Sequence, residues 1–398
     1  MLVALIVRIV WLTTVDTQPV TDFSWYFERA AGIARGMGYS VDGVATAYWP
    51  VGWPGFLGGV FAITGPSVLV AKVVTLLLGV LNTGLTFWAG RRLGLEKLPS
   101  SVAALAVGLS PAMVAYSTIL ASESLAIVLG LLGVCALIDA RTEPGLVLAG
   151  VACGAGMLVR PQALVYTLAA IAVLSLCRKW PSRSRGVAVV LLGAALAVSP
   201  WTARNYVDFQ ALVPVSTNGG DNLLIGHGPG ATGGYRNPRQ IEPRINHLSE
   251  AERDRAAGKI ALFYLRQDPA RAVRAWPAKL RETFLKHTDA AYWAFQTEFG
   301  SLVVPGAGTD KAQYLAFRNA CYIGGNGLLA LALLGAAVAA IRRQCTVALA
   351  VGAAWLGVTA VLAGVFFGNG RFGLVTVPFQ AILFAAGIQA AMAGRRSL

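Results

Sequence analysis

The chain has 398 residues, of which 56% are hydrophobic and only 13% charged, with a formal net charge of +14 and a mean hydropathy of +0.61. Soluble globular proteins carry about 25% charged residues, so too few charges remain to solvate a surface and lipid must cover part of it. That excludes a soluble enzyme. It also turns the positive charge away from nucleic acid and toward cytoplasmic loops, anionic lipids or phosphate-bearing substrates.

Apolar runs place ten spans, at 2–15, 66–90, 99–117, 122–140, 144–159, 161–177, 186–201, 321–341, 345–367 and 373–393. Most approach the ~20 residues that cross a hydrocarbon core. The run Leu2–Thr14 is short and has no small-residue cleavage site, so it reads as an uncleaved first helix, and the chain could start short of its true N-terminus. Basic clusters follow alternate spans: Arg91/Arg92/Lys97, Arg141, Arg178/Lys179/Arg183/Arg185, Arg342/Arg343 and Arg395/Arg396. With these on the cytoplasmic side, both termini are cytoplasmic, and 16–65 and 202–320 face outward. The expected fold is therefore an all-α, polytopic helical bundle of about ten spans. Its parts are an N-terminal membrane module (1–201), a large outer segment (202–320) and C-terminal membrane helices (321–398). Two short spans meeting at Arg160-Pro161 suggest a broken or re-entrant element in 144–177.

In the first outer loop, Phe23, Tyr26, Phe27, Ala30, Ile33, Ala34 and Met37 recur at helical spacing. Thr21 or Asp22 can cap that helix, and Gly36 and Gly38 can end it. It is amphipathic and suited to the membrane surface. The following Tyr48-Trp-Pro-Val-Gly-Trp-Pro-Gly-Phe-Leu57 has two prolines and two glycines, which disfavour a regular helix. In the outer segment, Pro200-Trp201-Thr-Ala-Arg204-Asn205 is expected to leave the membrane. The run from Asn218 to Tyr235 is Gly-rich and reads as turns. Ser249–Arg266 and Pro269–His287 read as helices. Cys135, Cys153, Cys177, Cys321 and Cys345 lie in or beside apolar runs and form no ligand pattern. Neither these nor the three histidines, His227 among them, suggest a metal site.

Ionisable groups near the boundary are the functional candidates. Asp22, Asp42, Glu123 and Asp221 are the carboxylates; Arg160, Arg204, Lys279 and Arg371 are the cations. Each also has a plain structural reading. Asp22 can be an N-cap, Glu123 a first-turn acid favoured by the helix dipole, Asp42 a loop residue, and Arg371 an anchor that reaches the headgroups. Gly150, Gly154 and Gly156 permit close helix packing or a kink.

The motifs resemble a known group. Asp22-x-x-Trp-Tyr with the following Ala-x-Gly-x-Ala-Arg-Gly-x-Gly-Tyr is similar to the first loop of the GT-C glycosyltransferases, above all the family 39, protein O-mannosyltransferase and aminoarabinose transferase group. Pro50–Leu57, Ser122-Glu123-Ser124, Arg160-Pro161, Pro200–Asn205, the run Ser216–Leu223, the helix with Glu252–Arg255 and Arg371 fall in the matching order. The resemblance implies a sugar donor on a polyprenyl phosphate, a site on the non-cytoplasmic face, inversion, and a first-loop aspartate as general base, here Asp22. It implies a second acid in a later loop, for which Glu123 or Asp42 would serve. Tyr26, Tyr48, Trp53, Asn218, Asp221 and Asn222 are then expected to line the substrate site.

Such a reaction suits the residues. A phosphate departs already anionic, so one carboxylate to take the acceptor proton suffices, and cations must stabilise the charge left behind. Arg204, Arg371, Lys279 and Arg160 are the candidates for that task. No cofactor is called for, although a divalent cation could assist. The acceptor could be a lipid, a glycan or a protein. Two other readings stay open: a flippase or transporter of lipid-linked sugars, and a glycan polymerase or ligase. A transporter would favour mid-span charges and related halves, yet only Arg8 and Lys72 lie well inside spans.

Overall fold

The computed structural model describes residues 1–140, 142–177, 183–299, 302–306 and 308–395. Arg141, Arg178, Lys179 and Arg396, expected to mark cytoplasmic loops, lie outside the described residues. Helix α1 (Leu2–Thr14) leads to α2 (Asp22–Ala34), then to a small hairpin of β1 (Ser40–Val41) and β2 (Val44–Ala45), then to α3 (Gly52–Thr64). The first bundle continues with α4 (Val68–Arg92), α5 (Lys97–Leu109), α6 (Pro111–Ala115), α7 (Glu123–Asp139), α8 (Glu143–Val159), α9 (Ala163–Cys177) and α10 (Arg183–Phe209). The polar segment between α10 and the next long apolar helix holds α11 (Gly219–His227), α12 (Pro238–Ile241), α13 (Glu250–Gln267), α14 (Pro269–Phe284) and α15 (Asp289–Ala294), and a hairpin of β3 (Gln296–Phe299) and β4 (Leu302–Pro305). Helices α16 (Lys311–Ile341), α17 (Thr346–Val365), α18 (Gly370–Leu374) and α19 (Val377–Arg395) follow.

Among the described residues, α4, α10 from Ser184, α16 and α17 are each long and apolar enough to cross a membrane, and α1, α5, α8 and parts of α9 and α19 are shorter apolar helices. Ile323, Leu331, Leu333, Leu334 and Ile341 of α16 are exposed, an apolar surface that only lipid or protein would cover. The chain is an all-α, multi-pass membrane protein.

Several local expectations change. The segment 48–57 does contain helix: α3 starts at Gly52 and accommodates Pro54 in its first turn, where the missing N–H has no intrahelical partner to lose. Gly52 is required by contact, since a Cβ there would lie 2.6 Å from the backbone of Leu158. The first part of the Gly-rich run after Asn218 is helical, as α11, whereas 228–235 is irregular and turn-rich as expected. The glycines of α11 serve close approach: a Cβ on Gly220 would stand 1.9 Å from the Asp254 carbonyl of α13, and one on Gly226 1.8 Å from the Phe366 carbonyl. Helix α10 runs through Pro200 to Phe209, so the expected boundary at 201 falls inside it and Arg204 and Asn205 are helical. The expected span 99–117 divides into α5 and α6 at Ser110-Pro111.

Other expectations match the fold. Helix α2 spans Asp22–Ala34, with Gly36 and Gly38 at positive φ just beyond it. Ser249 and Glu252 form a capping box at the start of α13. Helices α8 and α9 are broken at Arg160, which is extended because a residue preceding proline is driven from the helical region. Gly150 and Gly154 are packing glycines, since a Cβ on them would come within 2.1 Å of the Val190 carbonyl and 2.5 Å of the Ala194 carbonyl of α10.

The segment that holds α11 to α15 is docked on the end of α17. The last four carbonyls of α17 have no intrahelical partner, and two side chains serve two of them: Lys279 Nζ donates to Gly364 O at 2.8 Å and His227 Nε2 to Val365 O at 2.7 Å, while Trp276 Nε1 donates to Ala360 O, a turn earlier, at 2.9 Å. The chain leaves that end as Phe366–Phe372, which carries Arg371.

Candidate active site

Asp22 is the first residue of α2, yet its side chain does not cap the helix. The carboxylate turns instead to Arg371, whose Nη1 donates to Asp22 Oδ2 at 2.8 Å. Arg371 is set by its own loop. Asn369 Oδ1 accepts the Arg371 N–H at 2.9 Å and starts α18. Gly368 and Gly373 let this loop press on α14, where added Cβ atoms would sit 2.1 Å from the carbonyls of Lys279 and Thr283. The alternating glycines of Phe367-Gly-Asn-Gly-Arg-Phe-Gly373 thus fix where the guanidinium stands.

Glu123, first residue of α7, is fully buried beneath it. Its Oε1 accepts from Arg371 Nε and from Arg160 Nη1, both at 2.6 Å, and its Oε2 from Arg371 Nη2 at 3.4 Å. Arg160, released at the α8–α9 break, also reaches Ser122 Oγ at 3.4 Å. The result is a chain of alternating charge, Asp22–Arg371–Glu123–Arg160, drawn from four distant parts of the sequence. Arg371 lies over the Phe23 ring at 5.0 Å and Arg160 over Phe372 at 5.6 Å. Burial alone would weaken the Arg371 charge, but Glu123 and Asp22 together hold its pKa above the usual arginine value. Burial first, then Asp22, pushes the Tyr26 phenol up, so Tyr26 stays a neutral hydrogen-bonding group.

Glu123 is sealed, whereas the Asp22 side chain keeps 29% of its exposure and borders a cavity of about 620 Å³. Asp22, Tyr26, Arg160, Arg371, Asn218 and Asn222 contribute its polar part, and Leu164, Leu191, Ala194 and Val198 of α9 and α10 form an apolar wall. Arg160 commits only Nη1 to the charge chain; among the described residues its other nitrogens have no hydrogen-bond partner.

The remaining expected site residues go elsewhere. Arg204 donates to the carbonyls of Thr46 at 2.9 Å and Tyr39 at 2.8 Å and pairs with Asp208 at 2.7 Å, which ties the β1–β2 hairpin to α10 rather than reaching the cavity. Lys279 is buried against α17 as described, and burial pulls its ammonium pKa down to about 8. Asp42 is exposed at the hairpin turn with φ of 50°, followed by Gly43 at 78°, the chemistry of a two-residue turn. Trp53 is core, donating its indole N–H to Leu120 O at 3.0 Å. Asp221 is buried, accepting from Tyr48 Oη at 2.8 Å and Arg253 Nη1 at 2.5 Å. Burial, then Asp221, pushes the Tyr48 phenol up.

Sequence reasoning did not single out Gln162, Tyr235, Asn369, Phe367 or Phe372, which also line the cavity. The signal for three of them was present, since they flank Arg371 in one Gly-spaced motif. Among the described residues, no three His, Cys, Asp or Glu side chains gather as a metal site. The two acids of the charge chain, Asp22 and Glu123, are bridged by the Arg371 guanidinium.

The family model for dolichyl-phosphate-mannose-protein mannosyltransferase matches residues 50–203. The oligosaccharyltransferase of Archaeoglobus fulgidus, solved with Zn and sulfate, superposes with a TM-score of 0.54 at 13% identity, covering 100% of this chain and 51% of that one. The chain resembles the GT-C glycosyltransferases in fold. It spans about half the length of that oligosaccharyltransferase. ArnT of Cupriavidus metallidurans, bound to undecaprenyl phosphate, gives a TM-score of 0.46 at 14% identity, covering 99% of this chain and 78% of that one. No curated protein matches by sequence.

Proposed function

We propose that this protein is a GT-C glycosyltransferase that moves a sugar from a polyprenyl-phosphate donor to an acceptor hydroxyl on the non-cytoplasmic face, with inversion. The observation that carries the reading is the charge chain at the mouth of a cavity that is polar at one end and apolar along α9 and α10. A lipid-linked phosphate has the same division: an anionic head and a hydrocarbon tail. The matched family acts, by its description, with a dolichyl-phosphate sugar, which supports the same donor class.

In this reading Arg160 and Arg371 hold the donor phosphate and stabilise the charge it keeps on departure. Asp22, at the cavity edge, accepts the proton of the attacking hydroxyl. The bond from the anomeric carbon to the phosphate oxygen breaks, and the bond to the acceptor oxygen forms from the opposite face. The products are a glycosylated acceptor, a polyprenyl phosphate and a protonated Asp22. Glu123, sealed from the cavity, is a positioning residue that orients both arginines. Tyr26, Asn218 and Asn222 supply hydrogen bonds to the sugar.

The test is binding of a short-chain polyprenyl phosphate to the full-length protein in lipid nanodiscs. Arg160→Met should weaken binding at least tenfold, and Asp22→Asn should leave it intact or tighten it, since a carboxylate near the phosphate is removed. Wild-type affinity in Arg160→Met would sink the assignment of the phosphate site.

A further inference from the structure

The turn between α13 and α14 exposes large apolar side chains. On α13, Leu262 and Phe263 are 42% and 55% exposed; on α14, Val273 and Trp276 are 68% and 39% exposed. Residues three and four apart share a helix face, so Lys259 and Arg266 flank Leu262 and Phe263, and these four line one open depression with Gln267. Lys259 and Arg266 are exposed, and their side chains have no partner among the described residues. Asp268, the acid at the turn, is already engaged by Arg274 Nη2 at 2.8 Å and by the Arg271 N–H at 3.0 Å. The turn is thus an apolar surface rimmed by uncompensated positive charge.

The level of this surface follows from α17, which is long and apolar enough to cross a membrane and ends at Val365. Lys279 Nζ reaches Gly364 O, next to that end. Trp276 Nε1 reaches Ala360 O, about 6 Å deeper in the span at 1.5 Å per residue. The N-terminal half of α14 is therefore the part nearer the hydrocarbon, and with it Val273 and the turn to α13. Val361 and Val365 of α17, neighbours of the residues that Trp276 and Lys279 reach, are exposed, so the lipid-facing side of α17 continues onto Trp276. Tryptophan favours the boundary between headgroups and acyl chains, and lysine and arginine beside apolar residues extend there to anionic headgroups.

We propose that the α13–α14 turn is a membrane-docking surface for anionic phospholipid in the leaflet where α17 ends. Leu262, Phe263, Val273 and Trp276 lie at the acyl boundary, and Lys259 and Arg266 sit on lipid phosphates. Charge selects this occupant, because a neutral apolar partner would leave both cations unpaired. Helix α14 also backs the Arg371 loop at Gly368 and Gly373, so the anchor holds the frame of the candidate active site against the bilayer. The surface is separate from the cavity at Asp22, and its role does not depend on the sugar chemistry proposed above.

The experiment uses full-length protein in nanodiscs of phosphatidylcholine, with or without phosphatidylglycerol. A nitroxide is attached at Phe263→Cys or, as a reference two turns away on the same exposed face, at Arg255→Cys; the wild-type chain treated alike gives the background of native cysteines. Power saturation with oxygen and a water-soluble nickel chelate reads the depth of each label. The ratio of oxygen to nickel contact should be at least threefold higher at position 263 than at 255, and phosphatidylglycerol should raise it at least twofold further at 263. Lys259→Gln combined with Arg266→Gln should abolish that rise; both side chains are exposed and unpaired, so the variant keeps the fold. The inference is overturned by a label at 263 as open to nickel as the one at 255, or shielded from both reagents as a protein partner would shield it, or by a phosphatidylglycerol effect unchanged in the double variant.

Discussion

Replacing Glu123 with Gln probes the charge chain at its centre. The carboxylate is fully buried and accepts from two arginines, twice at 2.6 Å. Removing one partner of a buried ion pair costs about 3–5 kcal/mol, and here two cations lose it together while Asp22 alone remains to face Arg371. The protein should therefore unfold several degrees lower. Arg371 should also be drawn more tightly to Asp22, which both misplaces the phosphate site and weakens the base. If about 3–4 kcal/mol of that loss is felt in the transition state, kcat falls by roughly 10²–10³-fold, since each 1.36 kcal/mol is a factor of ten. Steady-state kinetics across pH separates positioning from acid–base chemistry. A positioning residue lowers the whole pH profile without removing one of its limbs, whereas a second catalytic acid or base deletes a limb. Unchanged kcat and unchanged unfolding temperature in Glu123→Gln would refute the account of this residue, and a lost limb would make it a proton carrier.

Three further outcomes follow from particular contacts. Arg204→Gln should lower thermal stability, by loosening the β1–β2 hairpin from α10, and leave the KM for donor within about twofold; a tenfold rise in that KM would return Arg204 to the phosphate site. Gly220→Ala should cost about 1–3 kcal/mol of overpacking, read as a lower melting temperature, because its Cβ would meet the Asp254 carbonyl at 1.9 Å; an unshifted melting temperature would mean α11 and α13 are not so close. Lys279 should make stability depend on pH. Its folded pKa is about 8 against an ordinary 10.5, so between those values the unfolded chain binds a proton that the folded one does not, and stability rises with pH across that window. Wild type should gain melting temperature over Lys279→Met between pH 7.5 and 9.5, and a gap that stays constant would contradict the buried ammonium.

The membrane class, the amphipathic α2, the capping box at Ser249 and the break at Arg160-Pro161 were legible because each is a local signal: composition, periodicity, cap chemistry, a proline. Asp22, Glu123, Arg160 and Arg371 could be nominated, since charge at a membrane boundary is expensive wherever it occurs. Their joining into one chain could not, because it depends on contacts between residues as far apart as Asp22 and Arg371. The errors have one cause. Glycines at 52, 220 and 226 look like turn formers when only neighbours in sequence are considered, but they are helical and answer to backbones distant in the chain. Arg204 and Lys279 are placed away from the cavity for the same reason, since backbone carbonyls of other elements claim their donors. A cation's chemistry is visible in sequence; its partner is not.

The central claim is that Asp22 takes the acceptor proton in sugar transfer from a polyprenyl phosphate. The direct measurement is transfer of labelled sugar from a panel of polyprenyl-phosphate monosaccharides into cell-envelope acceptors, comparing wild type with Asp22→Asn in nanodiscs. The account predicts transfer from one donor by the wild type, and loss of at least about 10²-fold in Asp22→Asn, the scale of general base catalysis, with donor binding retained. Transfer that survives in Asp22→Asn would contradict the base, and labelled lipid that crosses the bilayer with no transfer from any donor would contradict the enzyme.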